Sequence, residues 1–318
     1  MRHVFVLNPI AGKGQGALAL REKIEAYFAA HPEMEYAVRE TSCPGDATAI
    51  AAQECARGDA VRLYACGGDG TLQETANGIP VCSSAELAAI PCGSGNDYVR
   101  IFGGKDAFLS LPDLIEGVAM PVDAVDCGGR LSLNIAAIGM DAKVAAKMSN
   151  YKHLPGVGGS LAYELAIADV FFHPIGDEME ITIESENGVQ KRSGKYLIAL
   201  AANGQYYGGG YHGAPHAIEN DGILDFVLVK KISRFRILKF LVKYKAGDYD
   251  DLPYCEHIRG SSMTVHAKKT TYFTVDGECS SQSDMSFTIV PNAYNFVLPA
   301  SVAAERHRPA TDEMVLSL

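Results

Sequence analysis

Two spacings of apolar residues divide this chain. Over roughly the first hundred residues, short continuous apolar runs alternate with stretches of helical period, and each run gives way to a turn rich in small or polar residues. Residues 3–7 form the first run and lead into Asn8-Pro9-Ile10-Ala11-Gly12-Lys13-Gly14-Gln15-Gly16, after which Leu20, Ile24, Tyr27 and Phe28 recur at helical spacing. Residues 36–40 form the second, ending at Thr41-Ser42-Cys43-Pro44-Gly45-Asp46, where Asp46 is placed to cap an alanine-rich helix. Residues 61–65 run into Cys66-Gly67-Gly68-Asp69-Gly70-Thr71, and residues 87–90 into Pro91-Cys92-Gly93-Ser94-Gly95-Asn96-Asp97. Strands that alternate with helices predict a parallel, doubly wound α/β sheet, which binds ligands beyond the carboxyl ends of its strands, where these turns gather.

Beyond about Pro121 the period changes to two. Residues 179–184 and parts of 262–267 and 270–275 alternate, and 285–290 and 294–298 are short β-rich runs, with helical segments at 160–172 and 234–245. The pattern predicts an α/β domain over 1–121 and an antiparallel, β-rich second domain over 122–299. The tail, 300–318, carries Met314-Val315-Leu316 and is suited to dock back on the first domain. The cleft between the two is the default ligand site.

Composition narrows the partners. A net charge of −10 over 318 residues excludes a general nucleic-acid binder, so any anion site is local. The eight cysteines include no Cys-x-x-Cys pair, and neither a secretory leader pattern nor a bilayer-length apolar run occurs. Reduced thiols in a cytoplasmic protein are expected, without a zinc site.

The chemistry concentrates at the Gly67–Thr71 turn. Glycines between a strand and a helix let a ligand approach the backbone, and the first N–H groups of the helix favour an anion. Asp69 lies inside that turn, and a carboxylate beside phosphate calls for a cation between them, as Mg²⁺ on a nucleotide provides. The same residues also fit a tight turn in which Asp69 only caps the helix. The Asn8–Gly16 loop lacks the second half of a Walker A motif, so Lys13 fits a phosphate contact or a solvated loop equally. Asp276-Gly277-Glu278, at the end of the strand-like 270–275 run, places two carboxylates toward the cleft or forms a hairpin turn. Residues 230–245 carry no acidic side chain and mix basic with aromatic and aliphatic positions. They suit a helix lying on an anionic leaflet, or a core helix with snorkelling lysines.

Taken jointly, these motifs resemble the diacylglycerol kinase-type lipid kinases, soluble bacterial enzymes related to sphingosine and ceramide kinases. The likeness runs on through Pro121-Val122-Asp123, Asn134-Ile135-Ala136, Gly139-Met140-Asp141-Ala142, Ala202-Asn203-Gly204, Gly208-Gly209-Gly210 and Asp221-Gly222-Ile223-Leu224-Asp225. It implies a nucleotide-binding domain like those of phosphofructokinase and NAD kinase, followed by a β-sandwich-like domain. ATP contacts are implied for Asn8, Pro9, Ile10, Ala11, Gly12, Lys13 and Thr41, for Gly67, Gly68, Asp69, Gly70, Thr71, Leu72, Gln73 and Glu74, and for Ser94, Asn96 and Asp97. Mg²⁺ is implied on Asp221 with the carbonyls of Ile218 and Ile223, and proton acceptance at Glu278 with Asp276 beside it. Gln73 stands where Asn is usual, and Ser94 where Thr is common. Residues 204–213, rich in Tyr and Gly, are placed to shape the acceptor pocket.

The activity so implied is ATP- and Mg²⁺-dependent phosphorylation of a lipid hydroxyl, diacylglycerol first. The expected partners are a lipid acceptor at an anionic membrane surface, on its cytoplasmic face, and a second copy in a homodimer. A NAD kinase shares Gly-Gly-Asp-Gly-Thr, but Asn8-Pro9, Gly95-Asn96-Asp97 and Asp276-Gly277-Glu278 argue against it. Intact Asp69, Asp276 and Glu278 argue against a silent nucleotide-binding regulator.

Overall fold

The computed structural model describes residues 1–93, 95–152, 154, 157, 159–173 and 175–306. The strands β1 (Arg2–Leu7), β2 (Tyr36–Glu40), β3 (Val61–Gly67) and β4 (Glu86–Pro91) are parallel, in the order β4-β3-β1-β2. The helices α1 (Gln15–Ala30), α2 (Asp46–Cys55) and α3 (Asp69–Gly78) connect them. Every residue of β1 and β3 is buried, as continuous apolar runs require of strands covered on both faces. Phe5 stacks on Tyr64 with ring centroids 4.4 Å apart at the centre of this layer. Asp46 does not cap α2. Gly45, at φ 90°, holds the cap position, and the Asp46 carboxylate turns back to accept the N–H groups of Ser42 and Cys43 at 2.7 and 3.1 Å.

After α4 (Leu111–Ile115) the chain builds β5 (Val118–Asp126), β6 (Leu131–Ser132) and β7 (Ile135–Gly139), then α5 (Met140–Lys152) and α6 (Gly159–Phe172). The hairpin β8 (Asp177–Ser185) and β9 (Gly188–Ala202) follows, with β10 (Tyr206–Tyr207), β11 (Tyr211–His212), β12 (Leu224–Lys230), α7 (Arg234–Ala246), β13 (Cys255–Val275), β14 (Glu278–Leu298) and α8 (Ala300–Arg306). The pairings within this half are antiparallel. β13 pairs with β12 and β8 over its first part and with β7 at its end, so one strand serves both layers of the sandwich. Ile138, Ile183, Phe226, Met263 and Phe287 fill the interior. A further core, with Val144, Ala166, Ile237 and Phe240, lies where α5, α6 and α7 cover the sheet.

Two strands are longer than their sequence suggests. The runs at 262–267 and 270–275 are one strand of 21 residues, and those at 285–290 and 294–298 are another. Register shifts between His266 and Thr271 and between Val290 and Tyr294 break the alternation without ending the strand. The return to the first unit also starts before residue 300. Asn295 and Phe296 pair in parallel with Glu86 and Leu87, and Tyr294, Phe296 and Leu298 join the first core, as do Val122 and Ala124. The two halves thus share one 12-stranded sheet. The 307–318 segment, with Met314-Val315-Leu316, lies outside the described residues.

The helix-covered core encloses a carboxylate. Asp141, in the first turn of α5, is buried and accepts the hydroxyls of Tyr207 and, at 3.4 Å, Tyr244. Burial pushes its pKa up to about 6, against the pull of the two hydroxyls. The folded chain therefore holds this proton more tightly than the unfolded chain. The resulting stability is present below about pH 4 and is lost as pH rises through about 6. Relative to Asp141→Asn, the unsubstituted protein should lose up to about 3 kcal/mol between pH 4 and pH 7.5. Urea unfolding midpoints read this directly, and parallel pH profiles for the two proteins would contradict it.

Candidate active site

The glycine turns that follow β1, β3 and β4 converge, as the doubly wound pattern predicts. Asn8 Nδ2 donates to Thr71 Oγ1 at 3.1 Å, tying the first loop to the start of α3. The N–H groups of Cys92 and Gly93 both donate to the Gly67 carbonyl at 3.0 Å. A Cβ on Gly93 would stand 2.6 Å from Gly68 Cα, and one on Gly12 would stand 2.6 Å from the Cys92 carbonyl oxygen. Only glycine lets the three backbones come this close. Thr41 joins the same edge through its N–H to the Leu7 carbonyl at 3.0 Å. At the head of α3, the space beside Gly70 is open. Pro9, Ala11, Leu72 and Glu74 flank these contacts in sequence, with Ala11 and Leu72 buried and Ile10 81% exposed. Ser94 and the Lys13 side chain lie outside what the structure describes.

Asp69 differs from the expectation of a cation-facing carboxylate. Its oxygens accept the N–H groups of Asn96 at 2.6 Å, Asp97 at 2.7 Å and Tyr98 at 3.4 Å. Residues 96–98 have no strand ladder to satisfy these donors, and the carboxylate supplies an acceptor. Burial and the neighbouring Asp97 charge push the Asp69 pKa to about 6, while the three N–H groups pull it down. Asn96 adopts φ 68° within that turn and donates its amide to the Gly93 carbonyl at 3.0 Å. Asp97 crosses to the second half of the molecule. It accepts Arg100 Nε at 2.9 Å and the N–H of Gly209 at 2.7 Å, spanning the expected cleft. The glycine turn encloses only about 10 Å³. A cavity of about 680 Å³ adjoins it across Ile90 and Pro91, between α1 and residues 105–114, within the first half.

At the β13–β14 turn the two carboxylates have separate surroundings. Asp276, at φ 47°, accepts Ser132 Oγ at 2.7 Å and the N–H groups of Leu133 and Ile135 at 3.1 and 3.0 Å. Burial raises its pKa to about 6 against those bonds. Glu278 is exposed and pairs with Arg130 at 2.6 Å. The same guanidinium donates to Gln73 Oε1 at 2.7 Å, so it joins α3 to the start of β14. Gln73 is 1% exposed, and its Nε2 has no partner among the described residues. The sequence reading passed over Arg130, whose signal is the Asp126-Cys127-Gly128-Gly129-Arg130 turn between β5 and β6.

The expected metal turn is also arranged differently. Asp221 accepts the N–H of Ile223 at 3.2 Å with one oxygen, and Arg259 occupies the other. Ile218 is 47% exposed. Among the described residues, no group of three or more His, Cys, Asp or Glu side chains is placed to hold a metal ion. No described helix is long and apolar enough to cross a membrane.

With this arrangement in view, similarity to known proteins is informative. A family model described as the diacylglycerol kinase catalytic domain matches residues 2–127, and one described as the YegS C-terminal NAD kinase beta sandwich-like domain matches residues 134–298. A Pseudomonas aeruginosa protein named "Probable lipid kinase YegS-like" is 30% identical over 310 residues, covering 96% of this chain and 98% of its own. A diacylglycerol kinase of Bacillus subtilis is 25% identical over 304 residues, covering 95% and 97%. The crystal structure of a diacylglycerol kinase from Bacillus anthracis superposes with a TM-score of 0.68 at 22% identity, over 95% of this chain and 98% of that one, which bears on the fold. Both halves of the molecule and the order of its motifs agree, and the chain belongs to the diacylglycerol kinase-type family of lipid kinases, phosphotransferases with an alcohol acceptor.

Proposed function

We propose that this kinase transfers the γ-phosphoryl group of ATP to the primary hydroxyl of diacylglycerol, giving phosphatidic acid, at an anionic membrane surface. The observation that carries the reading is the convergence of three glycine turns within van der Waals reach at the head of α3. Such a cradle suits polyphosphate, since backbone N–H groups and the helix terminus favour negative charge where side chains are absent. Asn8, Gly12, Gly68, Gly70, Thr71 and Gly93 form its wall. Asp69 and Asp97 keep the third turn in position rather than meeting the ligand.

Magnesium fits here as the companion of the nucleotide, not as a resident of the Asp221 turn. The Asp221 carboxylate is already neutralised by Arg259, and both Asp69 oxygens hold backbone donors. Bound together with the nucleotide, magnesium would supply neutralisation of phosphate charge without a dedicated carboxylate in these turns.

Glu278 is the proton acceptor in this reading. Its ion pair with Arg130, which also reaches Gln73, ties an exposed carboxylate to α3, whereas Asp276 holds residues 132–135 with its oxygens. As the acceptor oxygen attacks the γ-phosphorus, its proton passes to Glu278 and ADP leaves with the electron pair of the broken bond.

The test is transfer of labelled γ-phosphate from ATP into diacylglycerol, other lipid alcohols, NAD and water. A labelled diacylglycerol product is expected, and labelled NADP or binding without transfer would replace the reading. Glu278→Gln should lower kcat roughly 10²–10⁴-fold with ATP affinity retained. A loss confined to ATP affinity would remove Glu278 from proton transfer. Asp69→Ala should abolish transfer and also cost about 2–3 kcal/mol of stability, because backbone donors lose a charged acceptor. Unchanged urea unfolding would show that the 93–98 turn does not depend on this carboxylate.

A further inference from the structure

Helix α7 has two apolar faces. Ile237, Phe240 and Tyr244 are buried in the helix-covered core, and Tyr244 reaches the Asp141 cluster from there. On another face, at positions i, i+3 and i+7, Phe235 is 84% exposed, Leu238 54% and Val242 73%. This spacing makes one continuous stripe along the helix. The core needs none of it, since the first face already anchors the helix.

α6 also exposes apolar residues. Arg234 donates to the His173 carbonyl at one end of α7, and Lys245 pairs with Glu164 at 3.5 Å at the other, so the two helices run side by side in opposite directions. α6 adds Phe172, 75% exposed, near the first junction and Leu161, 46% exposed, near the second. The charges that α7 itself carries are of one sign. α7 contains Arg234, Arg236, Lys239, Lys243 and Lys245 and no acidic residue, in a chain whose net charge is −10. Lys243 is neutralised by Asp251 at 2.8 Å, whereas Arg236 and Lys239 are exposed and make no ion pair among the described residues.

We propose that this stripe is the membrane-insertion element. Phe235, Leu238 and Val242 enter the acyl boundary of an anionic leaflet, while Arg236 and Lys239 lie on its headgroups. The inference rests on the lipid-acceptor reading for its setting and deepens it by naming the contacting surface. An exposed row of apolar side chains flanked by unpaired cations matches a fluid hydrocarbon layer under negative headgroups.

The test uses the full chain and two kinds of vesicle, phosphatidylcholine alone and phosphatidylcholine with phosphatidylglycerol, read by co-sedimentation without nucleotide. The unsubstituted protein should partition onto the anionic vesicles and weaken as salt rises. Arg236→Gln with Lys239→Gln should bind about 25-fold more weakly at low salt, roughly fivefold per cation, and differ little at high salt. Phe235→Ser, Leu238→Ser and Val242→Ser combined should lose at least about tenfold at every salt concentration. All these positions are exposed, so the core is left intact. Turnover of a short-chain, water-soluble diacylglycerol should be the same in all three proteins, while turnover of a long-chain acceptor in anionic vesicles should fall in both variants. If the unsubstituted protein phosphorylates neither acceptor, the kinase reading fails and the partition data still judge the stripe. Equal partition of the unsubstituted and triple-serine proteins would overturn the proposal. So would a dimer that the triple-serine change converts to a monomer, which would assign the stripe to a second copy.

Discussion

The site depends on carboxylates that hold backbone rather than ligand. Asp69 gathers the N–H groups of residues 96–98, Asp276 those of Leu133 and Ile135, and Asp123 those of Gly222 and Asn292, both at 2.7 Å. Each clamped segment is irregular, at a turn, a strand end or, for Asn292, the bulge inside β14, so its donors have no ladder. A carboxylate offers about four lone pairs on two oxygens and satisfies several such donors from one point. Burying the charge is costly, and the raised pKa values of Asp69 and Asp276 record that cost. The clamps nevertheless win, since orphaned N–H groups in the same positions would each cost about 1–3 kcal/mol.

These clamps make the junction between the halves continuous. Asn203 Nδ2 donates to the carbonyls of Asp123 and Leu133 at 2.8 and 3.0 Å, and Asp97 reaches Gly209 from the other side. The shared strand β14 completes the connection by pairing with β4. Where Glu278 stands relative to the glycine turns is therefore set by packing and hydrogen bonds across the junction. Gln73 belongs to the same arrangement. Its side chain reaches Arg130, which in turn holds Glu278, so a change of one methylene in α3 is felt at the start of β14.

How much of this was legible in the sequence follows from the range of each interaction. Strands β1 to β4 and the turns after them are local, and their apolar runs and glycines mark them without reference to the rest of the chain. The carboxylates are not local. Asp69 finds its donors 27 to 29 positions away, and Asp276 finds its own 141 to 144 positions away. Nothing beside either residue separates a ligand-facing carboxylate from a clamp. The same limit hid the length of β13 and β14, because a bulge scrambles period two while leaving the ladder intact. Arg130 was missed for the complementary reason, that a lone arginine in a glycine turn takes its meaning from the Gln73 and Glu278 side chains it joins.

Helix α7 shows why two readings of one segment need not compete. Its sequence supports a basic amphipathic surface helix and a core-packed helix equally, and 13 residues turn out to hold both patterns on different faces. The inner face is sufficient for folding, since Ile237, Phe240 and Tyr244 are buried with aromatic partners Tyr249 and Tyr254. An exposed phenylalanine, leucine and valine on the outer face contribute nothing to that core and leave apolar area in water, at about 25 cal/mol per Å². Folding stability therefore does not explain their presence. A surface that becomes favourable only when hydrocarbon replaces water would explain it, which is the ground for the proposed lipid contact, while Tyr244 on the inner face reaches Asp141.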